Sequence, residues 1–227
     1  MNVKEIVAAI HTAKPEITSV YFVGCGASQS DLYPGQYFLT ANAKKLRTSL
    51  HTANEFLYST PAAVGPDSIV VTCSLSGGTP ETVAAAKKAM ELGAEVIAVT
   101  IDADSALAKA AKYQIIHGFA KDYAAKMEKM TNVVDLACEI LNTYEGYEHY
   151  GDMQDGFAKI YDLINDSVKT LLPRAQAFGK EYKDMPILYV MSSGATAMVA
   201  YSFSMFLMME MQWVPSSSFN CGEFFHG

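Results

Sequence analysis

Apolar residues recur at three- and four-residue steps from Val3 to Ile10, so residues 2–13 are predicted to form a helix that closes before Pro15. From Ser19 the pattern changes to an unbroken apolar run, Val20-Tyr21-Phe22-Val23, followed by Gly24-Cys25-Gly26-Ala27-Ser28 and a second helical stretch over 28–40. Residues 46–51 form a weaker strand candidate, and 68–73 (Ser-Ile-Val-Val-Thr-Cys) a clear buried strand. After the loop at 74–82 a helix runs to Leu92 and stops at Gly93, with further strands at 95–100 and 113–117. Short apolar strands alternating with helices predict an α/β fold: three layers, a parallel sheet with helices on both faces.

Residues 120–145 and 151–184 read as two longer helices, and Gly179 leaves the far end of the second open. The opening pattern then returns: strand 187–191, small-residue turn 192–194, helix 195–212. A recurrence at long spacing predicts two tandem copies of one α/β domain, the second incomplete; a chance recurrence of a common βα unit is the other reading. The expected division is a first domain over 1–150, a connecting helix over 151–184, and the opening part of a second domain over 185–227.

Composition narrows the classes. Half of the 227 residues are hydrophobic and 18% are charged, which is enough apolar matter for a core and excludes a disordered tail. The net charge of −7 offers no basic stripe for phosphodiester backbones, so no nucleic-acid partner is expected. The apolar stretch at 195–214 carries Ser202, Ser204, Glu210 and Gln212, which predicts a core helix and no membrane span. The first residues read as an amphipathic helix, not a secretory leader. Cys25, Cys73, Cys138 and Cys221 form no CxxC pair and have no metal-ligand spacing to histidine, so reduced thiols and a cytoplasmic location are expected. Cys25 and Cys73 sit in small-residue segments, but neither has a histidine base nearby in sequence.

The segment Ser74-Leu-Ser-Gly-Gly-Thr-Pro-Glu-Thr82 leaves a buried strand and opens a helix, where ligands bind in parallel sheets. Thr79 is placed as the N-cap, Pro80 at the first helical position, and the glycines permit a tight turn. Free N–H groups of the first turn, with the hydroxyls of Ser74, Ser76, Thr79 and Thr82, can hold a phosphate without lysine or arginine. The lysine of a P-loop is missing, and Gly24-Cys25-Gly26-Ala27-Ser28-Gln29 lacks the third glycine of a dinucleotide fingerprint. On spacing alone the loop is equally an ordinary βα turn with a good cap.

Glu210 stands among methionines and aromatic residues. Burial there would raise its pKa and suit it as a base for carbon acids, whereas a place at the polar edge of the helix would leave it an ordinary surface carboxylate. Glu223 and His226 are three apart and share a face on one helical turn, but no second pair supports a metal site.

Taken together, Gly24–Ser28, the SLSGGTPET loop, His51-Thr-Ala-Asn-Glu-Phe56 and Glu210-Met-Gln-Trp213 followed by Gly222-Glu-Phe-Phe-His-Gly227 resemble the sugar-isomerase (SIS) phosphosugar-binding family. Within it they are most similar to bacterial fructosamine-6-phosphate deglycases and less so to the isomerase half of glucosamine-6-phosphate synthase. The resemblance implies a flavodoxin-like SIS fold and a phosphorylated sugar-amine substrate bound through Ser28, Ser74, Ser76, Gly77 and Thr79. It implies Glu210 as the carbon acid/base, His226 as the ring-opening and proton-relay group, and Gly26 and Glu223 as further substrate contacts. It also implies no metal and no cofactor, and a homodimer or higher homo-oligomer whose subunits share the active site. Residues 214–220 carry no histidine where deglycases often do. The remainder of the second domain, with a tail that completes related sites, is expected to be supplied from outside this sequence or by a partner chain.

Overall fold

In the computed structural model the described residues are 1–119 and 122–226. Ala120 and Lys121, at the start of the expected helix 120–145, and Gly227, the end of the GEFFHG segment, lie outside them. Five short strands, β1 (Ser19–Gly24), β2 (Arg47–Thr52), β3 (Ser68–Cys73), β4 (Glu95–Thr100) and β5 (Tyr113–Ile116), pair in parallel in the order β2-β1-β3-β4-β5. All residues of β1, β3 and β4 are buried, which is why these strands read as continuous apolar runs and not as alternation.

The helices of this part are α1 (Val3–Ala13), α2 (Ala27–Asn42), α3 (Ala53–Tyr58), α4 (Pro80–Glu91), α5 (Ala106–Ala110) and α6 (Tyr123–Glu145). Successive strand residues point to opposite faces, so the core splits in two. Val20, Phe22, Ile69, Val71, Ile97 and Val99 pack with α1, α2 and α6. Tyr21, Val23, Val70, Val96 and Ala98 pack with α3, α4 and α5. The predicted three-layer α/β architecture is therefore present, in flavodoxin-like order. Its strand order reverses at β1, so the carboxyl ends of β1 and β3 form the crevice where such sheets take ligands.

A 33-residue helix, α7 (Tyr150–Tyr182), follows and runs unbroken past Pro173 and Gly179. Beyond it β6 (Leu188–Ser192) and β7 (Ser216–Asn220) form a separate parallel pair. Between them the single α-helix expected over 195–212 is replaced by three windings: a 3₁₀ turn at Gly194–Thr196, α8 (Ala197–Ser202) and a π-helical segment Phe203–Met211. The wider π winding is at home where a helix packs irregularly beside a site. α2 docks this part onto the first sheet, because the Tyr33 hydroxyl donates to the Gly194 carbonyl at 3.0 Å.

The pattern did not announce α3, α5 or β7. The two helices have six and five residues, too few for a helical period to show. β7 is Ser-Ser-Ser-Phe-Asn, extended because it pairs with β6, and its buried Ser216 accepts a hydrogen bond from Ser204 at 2.9 Å. Among the described residues no helix is long and apolar enough to cross a membrane.

Candidate functional site

β1 and β3 end in register, Gly24 opposite Cys73, so the loops that leave them start at one level of the sheet. The first loop turns at Gly26, whose φ of +57° is the left-handed region that favours glycine, and α2 begins there without a side-chain cap. The second loop turns at Gly77, φ +68°, and passes under α5, whose Leu107 N–H donates to the Gly77 carbonyl at 2.9 Å. Gly77 is buried, so its part is to let the loop turn beside Ser105. Ser76 and Gly78 are exposed at the tip, Thr79 is half-buried and Ser74 is buried.

Thr79 occupies the N-cap position and Pro80 the first turn of α4, as expected, but the threonine side chain does not cap the helix. Its hydroxyl instead shares a 2.9 Å hydrogen bond with Ser74. The first-turn N–H groups of Glu81 and Thr82 thus keep no side-chain acceptor, and the dipole of α4 favours an anion at that spot. The Thr82 hydroxyl donates to the Cys25 thiol at 3.8 Å, tying the two loops together.

Glu210 joins the site from the far end of the chain. Cys25, Gly26, Ala27, Ser28, Phe206, Glu210 and Met211 line one pocket of about 440 Å³. The Phe206 ring covers Gly26, so closely that a Cβ there would touch it at 3.6 Å. This contact carries the π-helical segment to the β1 turn and sets Glu210 beside Ser28. The carboxylate is exposed, so the burial considered for it is absent. The segment's inner face is taken by Ser204 against β7, which leaves positions 207 and 209–211 outward.

Glu223 and His226 are both exposed in the turn after β7, where the His226 N–H donates to the Glu223 carbonyl at 2.8 Å. They share one turn as expected, but neither lines the pocket that holds Glu210. Among the described residues no three His, Cys, Asp or Glu side chains gather as metal ligands. Burial pushes the Cys73 thiol up to about 12, which removes it as a nucleophile near neutral pH. A larger groove of about 710 Å³, between α7 and the π-helical segment, has Leu, Phe or Met at half of its lining positions and holds none of these residues.

Sequence reasoning missed Phe206, read as core packing, and a charged pair below α2, Asp31 and Lys129. Lys129 carried a signal: it precedes Val133, Leu136 and Ile140 at helical spacing, which puts a lysine on the buried face of α6.

Residues 16–127 match the SIS domain. The chain is 33% identical to the fructosamine deglycase FrlB of Bacillus subtilis (strain 168), over 99% of this chain and 69% of that protein. It is 23% identical to the fructoselysine 6-phosphate deglycase of Escherichia coli O157:H7, over 97% of this chain and 65% of that one. A crystal structure of a candidate phosphosugar isomerase from Salmonella typhimurium LT2 superposes with a TM-score of 0.96 at 36% identity, covering 100% of this chain and 68% of that chain. The chain thus spans about two thirds of the length of these three proteins.

Proposed function

The chain belongs to the SIS domain family, and from that premise we propose that it hydrolyses 6-phosphofructosamines, the Amadori adducts of a sugar phosphate with an amine, to glucose 6-phosphate and the free amine. The observation that carries this reading is the placing of Glu210 beside Ser28 at the end of β1, one strand from the uncapped Ser/Thr loop. The phosphate sits on Ser74, Ser76, Thr79 and the N–H groups of α4, where binding energy far from the reacting carbons is gained. Glu210 takes a proton from C1, which the C2 carbonyl acidifies, giving an enaminol. Return of a proton to C2 leaves an imine at C1. Water adds to that imine and the C–N bond breaks, releasing the amine and glucose 6-phosphate. The electrons stay within the sugar, so the scheme needs no metal and no cofactor.

His226 opens the sugar ring. Its exposure, outside the pocket of its own chain's Glu210, supports a homodimer in which each copy lends this histidine to the other. The strand, turn and helix β6–Gly194–α8 are read as the opening of a second domain of the same type. Four free cysteines support a reducing, cytoplasmic setting.

The test is release of glucose 6-phosphate and free amine from a panel of fructosamine 6-phosphates by the full chain. Glu210→Gln and His226→Ala are each expected to lower turnover by about 10²–10⁴. Turnover that survives both changes removes the assigned roles, and an isomerised product with no amine released removes the hydrolysis.

A further inference from the structure

In the second turn of α2 Asp31 forms an ion pair with Lys129 of α6. Their side chains are 16% and 11% exposed, and no other ion pair among the described residues has both partners this enclosed. Such a pair is poor value as a stabiliser, because desolvating two charges offsets most of their attraction. Its place in the fold points to another use. One turn further along, Gly35 meets Val133 so closely that a Cβ would lie 2.7 Å from Val133 Cγ1 and 2.8 Å from its carbonyl oxygen. The helices are therefore pinned at two successive turns, by contact at Gly35 and by charge at Asp31.

Ser28 lies three residues before Asp31 and lines the pocket that holds Glu210. Burial pushes the Asp31 carboxyl above its ordinary range, and the Lys129 ammonium pulls it back. The Cys73 thiol, at the end of β3 and next to Ser74, senses Asp31, Lys129 and the Ser28 hydroxyl. His117, just after β5, is buried; its Nδ1 bonds the Gly118 carbonyl oxygen at 2.8 Å, and its Nε2 has no partner. The pair thus ties α2 to α6 close behind Ser28, on the helix that leaves the first loop.

We propose that Asp31 and Lys129 are positioning residues for phosphosugar binding: the pair clamps the second turn of α2 onto α6 and so sets where Ser28 and the uncapped N-terminus of α2 meet the ligand. This rests on the phosphosugar reading given above. Neither residue lines the pocket that holds Glu210, so the pair acts through Ser28 on affinity and not on the proton transfer.

The experiment measures glucose 6-phosphate binding by calorimetry, steady-state turnover of a fructosamine 6-phosphate, and thermal midpoint, all on the full chain. Lys129→Met is expected to weaken Kd and raise KM by about tenfold or more while kcat stays within about twofold. Lys129→Arg should recover most of that affinity. The double change Asp31→Asn with Lys129→Met removes both charges, so it should regain thermal stability without regaining affinity. It also keeps the test decisive if Lys129→Met alone does not fold. The inference is overturned by a folded Lys129→Met protein that binds like the wild type, or by a double variant that regains stability and affinity together. Wild-type protein that binds no glucose 6-phosphate overturns the phosphosugar reading itself, and this inference with it.

Discussion

Gly77 is the residue of the proposed phosphate loop whose substitution can be worked out most fully. An added Cβ would overlap the Oγ and Cβ of Ser105 and lie 3.0 Å from Thr100 Oγ1. The backbone there has φ +68°, which costs an L side chain about 1–2 kcal/mol. Forcing a methyl into a packed site adds about 1–3 kcal/mol. Gly77→Ala should therefore lose about 2–5 kcal/mol, a large share of the ~5–15 kcal/mol that holds a domain folded. For a chain of this size that is a fall in thermal midpoint of about 4–20 °C. Circular dichroism against temperature and urea measures it. Ser105→Gly removes the nearest atoms at a cost of a few tenths of a kcal/mol, because Ser105 also caps α5 through Ala108 N–H at 3.2 Å. Combined with Gly77→Ala it should return the packing share and leave the left-handed backbone share, a coupling of about 1–3 kcal/mol. A Gly77→Ala protein within about 0.5 kcal/mol of wild type would refute the reasoning, as would a double variant with no coupling.

Two further outcomes are expected. Ser76→Ala with Thr79→Ala removes two hydroxyls from the proposed phosphate site and should weaken glucose 6-phosphate binding by about 10–100-fold in calorimetry, while the loss of the partner of the buried Ser74 hydroxyl lowers stability by about 1–3 kcal/mol; unchanged affinity removes the anchor. At Glu145, burial pushes the carboxyl up but is outweighed by the N–H groups of Leu46, Lys44 and Lys45, which donate at 2.7 Å, 2.8 Å and 3.0 Å and hold it below its ordinary 4.5. Its stabilisation is then full above pH 4.5 and fades as pH falls through the lower folded value. Glu145→Gln should lower the urea stability by about 0.5–1.5 kcal/mol at pH 7, since solvent screens these bonds, and the gap to wild type should narrow in acid. A gap that stays constant down to pH 3, well below about 4.3 where free glutamate titrates, contradicts the assignment.

The chain's own order of residues determined the sheet and its chemistry-bearing loop. Val20–Val23, Ile69–Val71 and Val96–Val99 are apolar on both faces, and only a parallel strand covered by two helical layers buries both. Ser74–Thr82 likewise sits at a strand end in any register, so its proposed use as an anion cradle is a local matter of hydroxyls, glycines and Pro80. Thr79 shows the limit of local reasoning: its position is that of a cap, yet its hydroxyl turns to Ser74, a choice made by the fold of the loop. Tertiary structure alone decided where Glu210 lies. Its neighbours in sequence are apolar and argue for burial, but packing of Phe206 on Gly26 and of Ser204 on Ser216 turns it outward beside Ser28. The same holds for the pairing of Asp31 with Lys129: helical spacing puts the lysine on the apolar face of α6, but only the close approach at Gly35 brings Asp31 to it. Periodicity records which face of an element is apolar; which distant element covers that face is settled only when the layers pack, and in this protein the candidate site lies at those meetings.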